Sequence, residues 1–270
     1  MPFAVSSGST RIYFDVLGAE GPHVVLLQGL ALSSTFWFDL PRRLTVESER
    51  PCRAVIIDNR GVGRSDRPWG PYRMGTLADD VAAVLDAVGA ARAFVVGISL
   101  GGMIAQHVAL RHPARVSGLG LLATTPGVPF GTLPDPATLL ALLRLPLARD
   151  PKAVARILLS EKHMPQARRL LGKWPAAMKA EPVMPRVFFS QFAAAAGHST
   201  GFKLGSIRCP TVVVAGAEDQ VIPPDNARRL ARRIPGAVLE ILPDVGHGIP
   251  AVDDQVLVRT VGRLRELAAA

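Results

Sequence analysis

A serine stands between glycines in Gly97-Ile98-Ser99-Leu100-Gly101-Gly102, where the apolar run Phe94-Val95-Val96 gives way to residues with helical spacing. That pattern is a strand, a sharp turn and a helix; it exposes one hydroxyl on a strained backbone while the glycines keep neighbouring turns clear of side chains. The following helix aims its free N–H groups and positive dipole end at the turn, so negative charge forming beside Ser99 is stabilised. A serine hydroxyl is a poor nucleophile alone and needs a base within hydrogen-bond reach, oriented by a carboxylate. Two segments offer these groups, Gly216-Ala217-Glu218-Asp219-Gln220 and Val245-Gly246-His247-Gly248. Asp219 is favoured over Glu218, whose longer side chain would have to reach from a different position, and His247 between two glycines has little packing reason to be there. The chemistry is acyl transfer, and its tetrahedral oxyanion needs two donors. The backbone N–H of Leu100 is one, and that of Leu30, in Gln28-Gly29-Leu30, is the other.

These residues are far apart in the chain, so the elements between them must bring them together. Residues 11–17 read as an edge strand and Val24-Val25-Leu26-Leu27 as a buried one ending at Gln28. Residues 33–44 read as a short capped helix, and residues 53–58 as another buried strand. The loop Asp58-Asn59-Arg60-Gly61-Val62-Gly63-Arg64-Ser65-Asp66 is not a dinucleotide cradle: it lacks a third glycine, and Pro68-Trp69-Gly70-Pro71 intervenes before the next helix. Asp58 and Arg60 are suited to tie that loop together. Residues 77–88 form an amphipathic helix with Leu77, Val81, Val84, Leu85 and Val88 on one face, Asp79, Asp80 and Asp86 on the other, and Gly89 as its stop. After the helix that carries on from Ser99 to His112-Pro113, residues 116–125 give the next strand.

Strands alternating with helices predict an α/β fold with a mostly parallel, doubly wound sheet. From 126 to 205 the pattern changes to helices alone, at 138–145, 152–161 and 186–195, so this stretch is predicted to be an all-helical insertion in a core made of residues 1–125 and 206–270. Strands return at 211–215 and 238–242, and a helix spans 253–267. The carboxyl ends of parallel strands share one edge, where loops bearing Ser99, Asp219 and His247 can meet. Trp174, Phe188, Phe189 and Phe192 are the bulky apolar residues of the insertion; they pack it against itself or face the site.

The 270 residues are 49% hydrophobic and carry a net charge of +9. The arginines are scattered; the densest group, Arg228, Arg229, Arg232 and Arg233, has the spacing of one solvated helix face without interleaved aromatics, which argues against nucleic-acid binding. The amino-terminal stretch has no basic and apolar leader pattern, and no run approaches about eighteen apolar residues, so neither export nor membrane insertion is expected and a cytoplasmic location is. Cys52 and Cys209 have no metal-ligand spacing and read as free thiols. No metal or cofactor is implied. His23, His107, His112, His163 and His198 read as structural, with a pocket-lining role open for the last two.

Taken together the motifs resemble the α/β-hydrolase superfamily, and within it the single-domain esterase, lactonase and cofactor-free haloperoxidase-like group. Residues 97–102 look like its nucleophile elbow, residues 58–65 like its D-x-R-G-x-G-x-S loop, and Gly216-Ala217-Glu218-Asp219 and Gly246-His247-Gly248 like its acid and base segments, in that order. The resemblance implies a helical cap at 126–205 and hydrolysis of an apolar carboxylic ester or lactone through an acyl-enzyme on Ser99. Serine at 99 resembles ester hydrolases rather than the branches that place aspartate there. Related scaffolds with the same triad cleave carbon–carbon bonds or act as lyases, and a ligand-binding or signalling protein that keeps the triad is a third possibility. One departure is Gln28-Gly29, where the family usually has His-Gly. The sequence does not specify an oligomeric state.

Overall fold

The computed structural model describes residues 2–48, 50–145, 151–182 and 184–270. Met1 of the amino-terminal stretch, and residues 146–150 and 183 of the predicted insertion, lie outside the described residues. Eight strands form one sheet: β1 (Phe3–Ser6), β2 (Thr10–Leu17), β3 (His23–Leu27), β4 (Arg53–Ile57), β5 (Ala93–Ile98), β6 (Val116–Leu122), β7 (Thr211–Gly216) and β8 (Val238–Leu242). Their order across the sheet is β1-β2-β4-β3-β5-β6-β7-β8. The β1–β2 and β2–β4 pairs are antiparallel and all others parallel. The helices are α1 (Leu40–Glu47), α2 (Met74–Ala87) and α3 (Leu100–Arg111), then α4 (Pro136–Arg144), α5 (Pro151–Leu158), α6 (Ala167–Leu170), α7 (Trp174–Ala180) and α8 (Pro185–Ala196) between β6 and β7, then α9 (Asp225–Arg233), α10 (Ile249–Val252) and α11 (Val256–Ala269). No described helix is long and apolar enough to cross a membrane.

Period-two alternation along the strands divides the core between the sheet's two faces. Val25 and Leu27 of β3 and Val95 of β5 pack with Leu77, Val81 and Leu85 of α2 and Leu100, Ile104 and Val108 of α3. Val24, Leu26 and Val96 pack on the other face with Leu40 and Leu44 of α1 and Val256, Val261 and Leu264 of α11. Central strands covered on both faces have no polar side to show, which is why β3, β5 and β7 read as unbroken apolar runs. The edges differ. Among the described residues β8 pairs on one side only, and its middle residue, Glu240, is ion-paired to Arg259 at 3.1 Å.

Three expectations are corrected. Residues 11–17 are not the edge strand, because β1 pairs outside them; its four residues are too few and too mixed in burial to announce themselves. Residues 33–44 do not form one helix: a 3-10 turn at Ser34–Trp37 ends at Phe38, whose φ of 47° and ψ of −122° break the helical path before α1. The closing helix predicted at 253–267 is α11, which begins at Val256, and the short α10 lies before that span. Asp80 does not sit on the solvent face of α2. It is buried, accepting from Arg60 Nε at 2.8 Å and Nη2 at 2.5 Å, while Arg60 Nη1 donates to Thr10. The Asp58 carboxylate does organise its loop, accepting from the backbone N–H of Ser34 and of Arg64 at 2.7 and 2.8 Å.

Candidate active site

β5 delivers Ser99 to the carboxyl edge of the sheet. The residue has φ 54° and ψ −118°, a conformation that a side chain with a Cβ holds only when its surroundings impose it, at a cost of about 1–3 kcal/mol. Those surroundings are visible: a Cβ on Gly97 would lie 2.2 Å from the Gly101 carbonyl oxygen, and one on Gly101 would lie 2.1 Å from that of Leu27. The Ser99 N–H donates to Leu122 O at 2.9 Å, and its carbonyl accepts from Thr124 Oγ1 at 2.8 Å and Met103 N–H at 3.1 Å. Both neighbouring elements therefore pin the turn, and the half-buried hydroxyl stands at the amino end of α3.

The loop after β3 passes directly beside this serine. A Cβ on Gly29 would meet Ser99 Cβ at 3.5 Å and Oγ at 4.0 Å. Among the described residues, the backbone N–H groups of Leu30, which follows that glycine, and of Leu100, which follows the serine, have no acceptor. Gln28 turns its side chain back, Oε1 accepting from Gly29 N–H at 2.8 Å, and its carbonyl accepts from Asn59 Nδ2 at 3.1 Å. A glutamine can thus hold the loop in place of the histidine that the resemblance led one to expect.

Asp219 and His247 come together from the loops after β7 and β8. His247 Nδ1 lies 2.8 Å from Asp219 Oδ2, and the acceptor-only carboxylate requires the proton to be on Nδ1. Asp219 Oδ1 accepts from Val221 and Ile222 N–H at 2.9 and 2.8 Å, so both oxygens are engaged and the side chain is fully buried. The neighbouring Glu218 is exposed. Glycine makes this approach possible: a Cβ on Gly216 would lie 2.1 Å from the Val245 carbonyl oxygen. Over the same loop sits the end of α5, with Gly248 N–H donating to Leu158 O at 2.7 Å and Ser160 Oγ to Asp244 O at 2.5 Å. The structure joins His247 to Asp219, whereas Ser99 Oγ and His247 are not hydrogen-bonded to each other.

Of the remaining histidines, His163 has Nδ1 3.0 Å from Ser160 Oγ, on the segment over the His247 loop, and two others form a pair. His107 on α3 and His198 after α8 face each other, Nε2 to Nδ1 at 3.2 Å, and His198 Nε2 donates to Thr125 O at 2.9 Å. Burial, with Arg111 and Lys203 nearby, lowers His107 to about 4; burial, then the neighbouring ring, lowers His198 to about 3. Both rings are neutral near pH 7. Among the aromatics between β6 and β7, Phe188 stacks on Phe192 and meets Phe189 edge-on, while Trp174 packs on Phe36 and Phe38 beside α1. Glu181 accepts from Ser33 Oγ and from Thr35 Oγ1, a second tie between this helical segment and the loop after β3. Cys52 and Cys209 are free thiols, raised by burial. Among the described residues no group of three or more His, Cys, Asp or Glu is arranged to hold a metal ion. Sequence reasoning passed over Gln191, which is fully buried; its signal was a polar residue in the apolar stripe Val187, Gln191, Ala194.

Comparison with known proteins gives concordant findings. The family model for the alpha/beta hydrolase fold matches residues 22–173. RutD of Caulobacter sp. (strain K31), a proposed carbamate hydrolase, is 33% identical over 249 residues, covering 88% of this chain and 89% of its own. The 2-hydroxy-6-oxononadienedioate/2-hydroxy-6-oxononatrienedioate hydrolase of Burkholderia vietnamiensis is 28% identical over 253 residues, covering 88% and 84%. Among solved structures, Est816, an N-acyl homoserine lactone degrading enzyme, superposes with a TM-score of 0.77 at 30% identity, covering 96% of this chain and 98% of its own.

Proposed function

The chain belongs to the α/β-hydrolase family, and on that premise we propose that it cleaves a carboxylic ester or lactone through an acyl-enzyme on Ser99, with Asp219 and His247 completing a triad. The observation that carries this reading is the 2.8 Å hydrogen bond from His247 Nδ1 to the buried Asp219 carboxylate. It fixes the tautomer whose Nε2 carries a lone pair, the form that accepts a serine proton. As His247 takes the proton, Ser99 Oγ attacks the carbonyl carbon and the carbonyl oxygen becomes an oxyanion between the Leu30 and Leu100 N–H groups, with the amino end of α3 behind it. His247 then protonates the departing alkoxide oxygen, leaving the acyl group on Ser99. A water attacks by the same route in reverse, giving its proton to His247, and Ser99 is regenerated as the acid leaves. No cofactor enters these steps.

In this reading residues 1–125 and 206–270 are the catalytic core, and residues 126–205 are a cap that covers the site and selects a small apolar substrate. Similarity to Est816 favours the lactone, a cyclic ester. Similarity to RutD adds the carbamate, whose carbonyl also bears a heteroatom leaving group. A second reading, cleavage of a carbon–carbon bond on the same triad, is favoured by the similarity to the Burkholderia hydrolase. The two free thiols suit a reducing, cytoplasmic setting. The test is Ser99→Ala, which abolishes both fluorophosphonate labelling and turnover of short p-nitrophenyl esters and lactones. Labelling of the mutant refutes the acyl-enzyme, and turnover of a vinylogous diketone without any ester, lactone or carbamate activity favours the second reading.

A further inference from the structure

Four consecutive backbone N–H groups follow Gln28, and each has an identifiable fate. Gly29 N–H donates to Gln28 Oε1 at 2.8 Å, Ala31 N–H to Gln191 Oε1 at 2.8 Å, and Leu32 N–H to the Gly29 carbonyl at 3.2 Å. Among the described residues Leu30 N–H alone of the four has no acceptor, and it directly follows the glycine that abuts Ser99. We infer that Gln191 of α8 is a positioning residue that aims the Leu30 donor at the oxyanion, making readiness of the oxyanion hole depend on a helix outside the catalytic core. The inference rests on the acyl-enzyme reading of Ser99.

Gln191 is fully buried and uses both ends of its amide, Nε2 donating to the Arg60 carbonyl at 2.9 Å. Its orientation is unambiguous because the Ala31 N–H only donates and the Arg60 carbonyl only accepts. Each support is itself held. Arg60 is locked to Asp80, and α8 is seated by Val187, whose Cγ1 would lie 2.6 Å from a Cβ on Gly61. Ala31 has φ 62°, a left-handed conformation that a residue with a Cβ keeps only under constraint, and the hydrogen bond to Gln191 supplies one. Without that acceptor Ala31 relaxes and Leu32 N–H is drawn off the Gly29 carbonyl, which shares its peptide plane with Leu30 N–H, so that donor loses its aim. The oxyanion exists only after attack, so a misdirected donor lowers kcat and leaves ground-state binding alone.

The experiment compares the parent, Gln191→Met and Gln191→Glu on p-nitrophenyl butyrate, with active sites counted by fluorophosphonate and with a trifluoromethyl ketone as oxyanion-forming inhibitor. Per active site, Gln191→Met is expected to lose on the order of 10- to 100-fold in kcat with KM within about twofold, and to lose ketone affinity in parallel. Gln191→Glu adds a signature that general loosening does not produce. A protonated carboxyl reproduces the amide, its hydroxyl donating to Arg60 O and its carbonyl accepting from Ala31, whereas the carboxylate faces Arg60 O with a negative charge. Its kcat relative to the parent therefore falls as pH rises from about 5.5 to about 8. The inference is overturned if Gln191→Met matches the parent in kcat and ketone affinity, or if its loss lies wholly in KM or in the number of active sites. If the parent does not label at Ser99, the acyl-enzyme reading fails and this inference with it; labelling at Ser99 with an unimpaired Gln191→Met rejects the inference alone.

Discussion

Acidification from pH 7 to pH 5 tests the neutral histidine pair between α3 and the segment after α8. In the unfolded chain a histidine has its ordinary value of about 6.5, so about 97% is protonated at pH 5, whereas His107, lowered to about 4, is about 9% protonated in the fold. The unfolded chain binds more protons over this range, so stability is present above the unfolded value and is lost as pH falls toward the folded one. His198 has the same sign. The two rings share one hydrogen bond, and counting a single protonation for the pair gives about 2 kcal/mol lost between pH 7 and pH 5. For a chain of this size that corresponds to a fall of about 4–8 °C in Tm. The assay is guanidinium unfolding read by tryptophan fluorescence, Trp37 being wholly buried. The parent is compared with the double variant His107→Gln/His198→Gln, each protein against itself at the two pH values, so any stability the variant loses at pH 7 drops out. If the double variant loses as much between pH 7 and pH 5 as the parent, the pair is not the source and the reasoning fails.

Asp219→Asn should fold normally by circular dichroism yet lose on the order of 10⁴ in kcat, because the asparagine amide favours the other histidine tautomer; a loss under about tenfold would send the search for the acid elsewhere. Asp80→Ala should cost about 3–5 kcal/mol in denaturant unfolding, since it leaves the buried Arg60 guanidinium without its partner. A cost below about 1 kcal/mol would mean that Arg60 finds solvent or another anion.

The sequence was most legible where one physical requirement dominated. Strands buried on both faces have no room for polar residues, so β3, β5 and β7 announced themselves. The glycines around Ser99 and His247 marked places where backbones approach to within a Cβ's width, and the structure does bring His247 to Asp219. Legibility failed where a partner distant in sequence overrides local pattern. Asp80 has the spacing of a solvated position, and only the fold reveals that Arg60, 20 residues earlier, draws it inward. Gln191 sits in the core-facing stripe of α8 because its partners are backbone groups of Ala31 and Arg60, which leave no trace in residue identity. The interruption at Phe38 depends on a backbone conformation that its neighbours in sequence do not demand.

The one-sided pairing of β8 bears on how concentrated solutions of this protein behave. An unpaired strand edge offers a row of amide groups to any strand that meets it, the usual route to edge-to-edge aggregation. Here the exposed row is only five residues long, and it carries Glu240, whose tie to Arg259 keeps a charged group within the strand itself. At the opposite end of the sheet β1 is shorter still, with four residues. The net charge of +9 adds a repulsion between whole molecules that reaches about one Debye length, roughly 8 Å at physiological ionic strength. Colloidal stability thus rests on the shortness of the strand at each rim and on a longer-range repulsion that salt removes, and high-salt storage strips away the second while leaving the first.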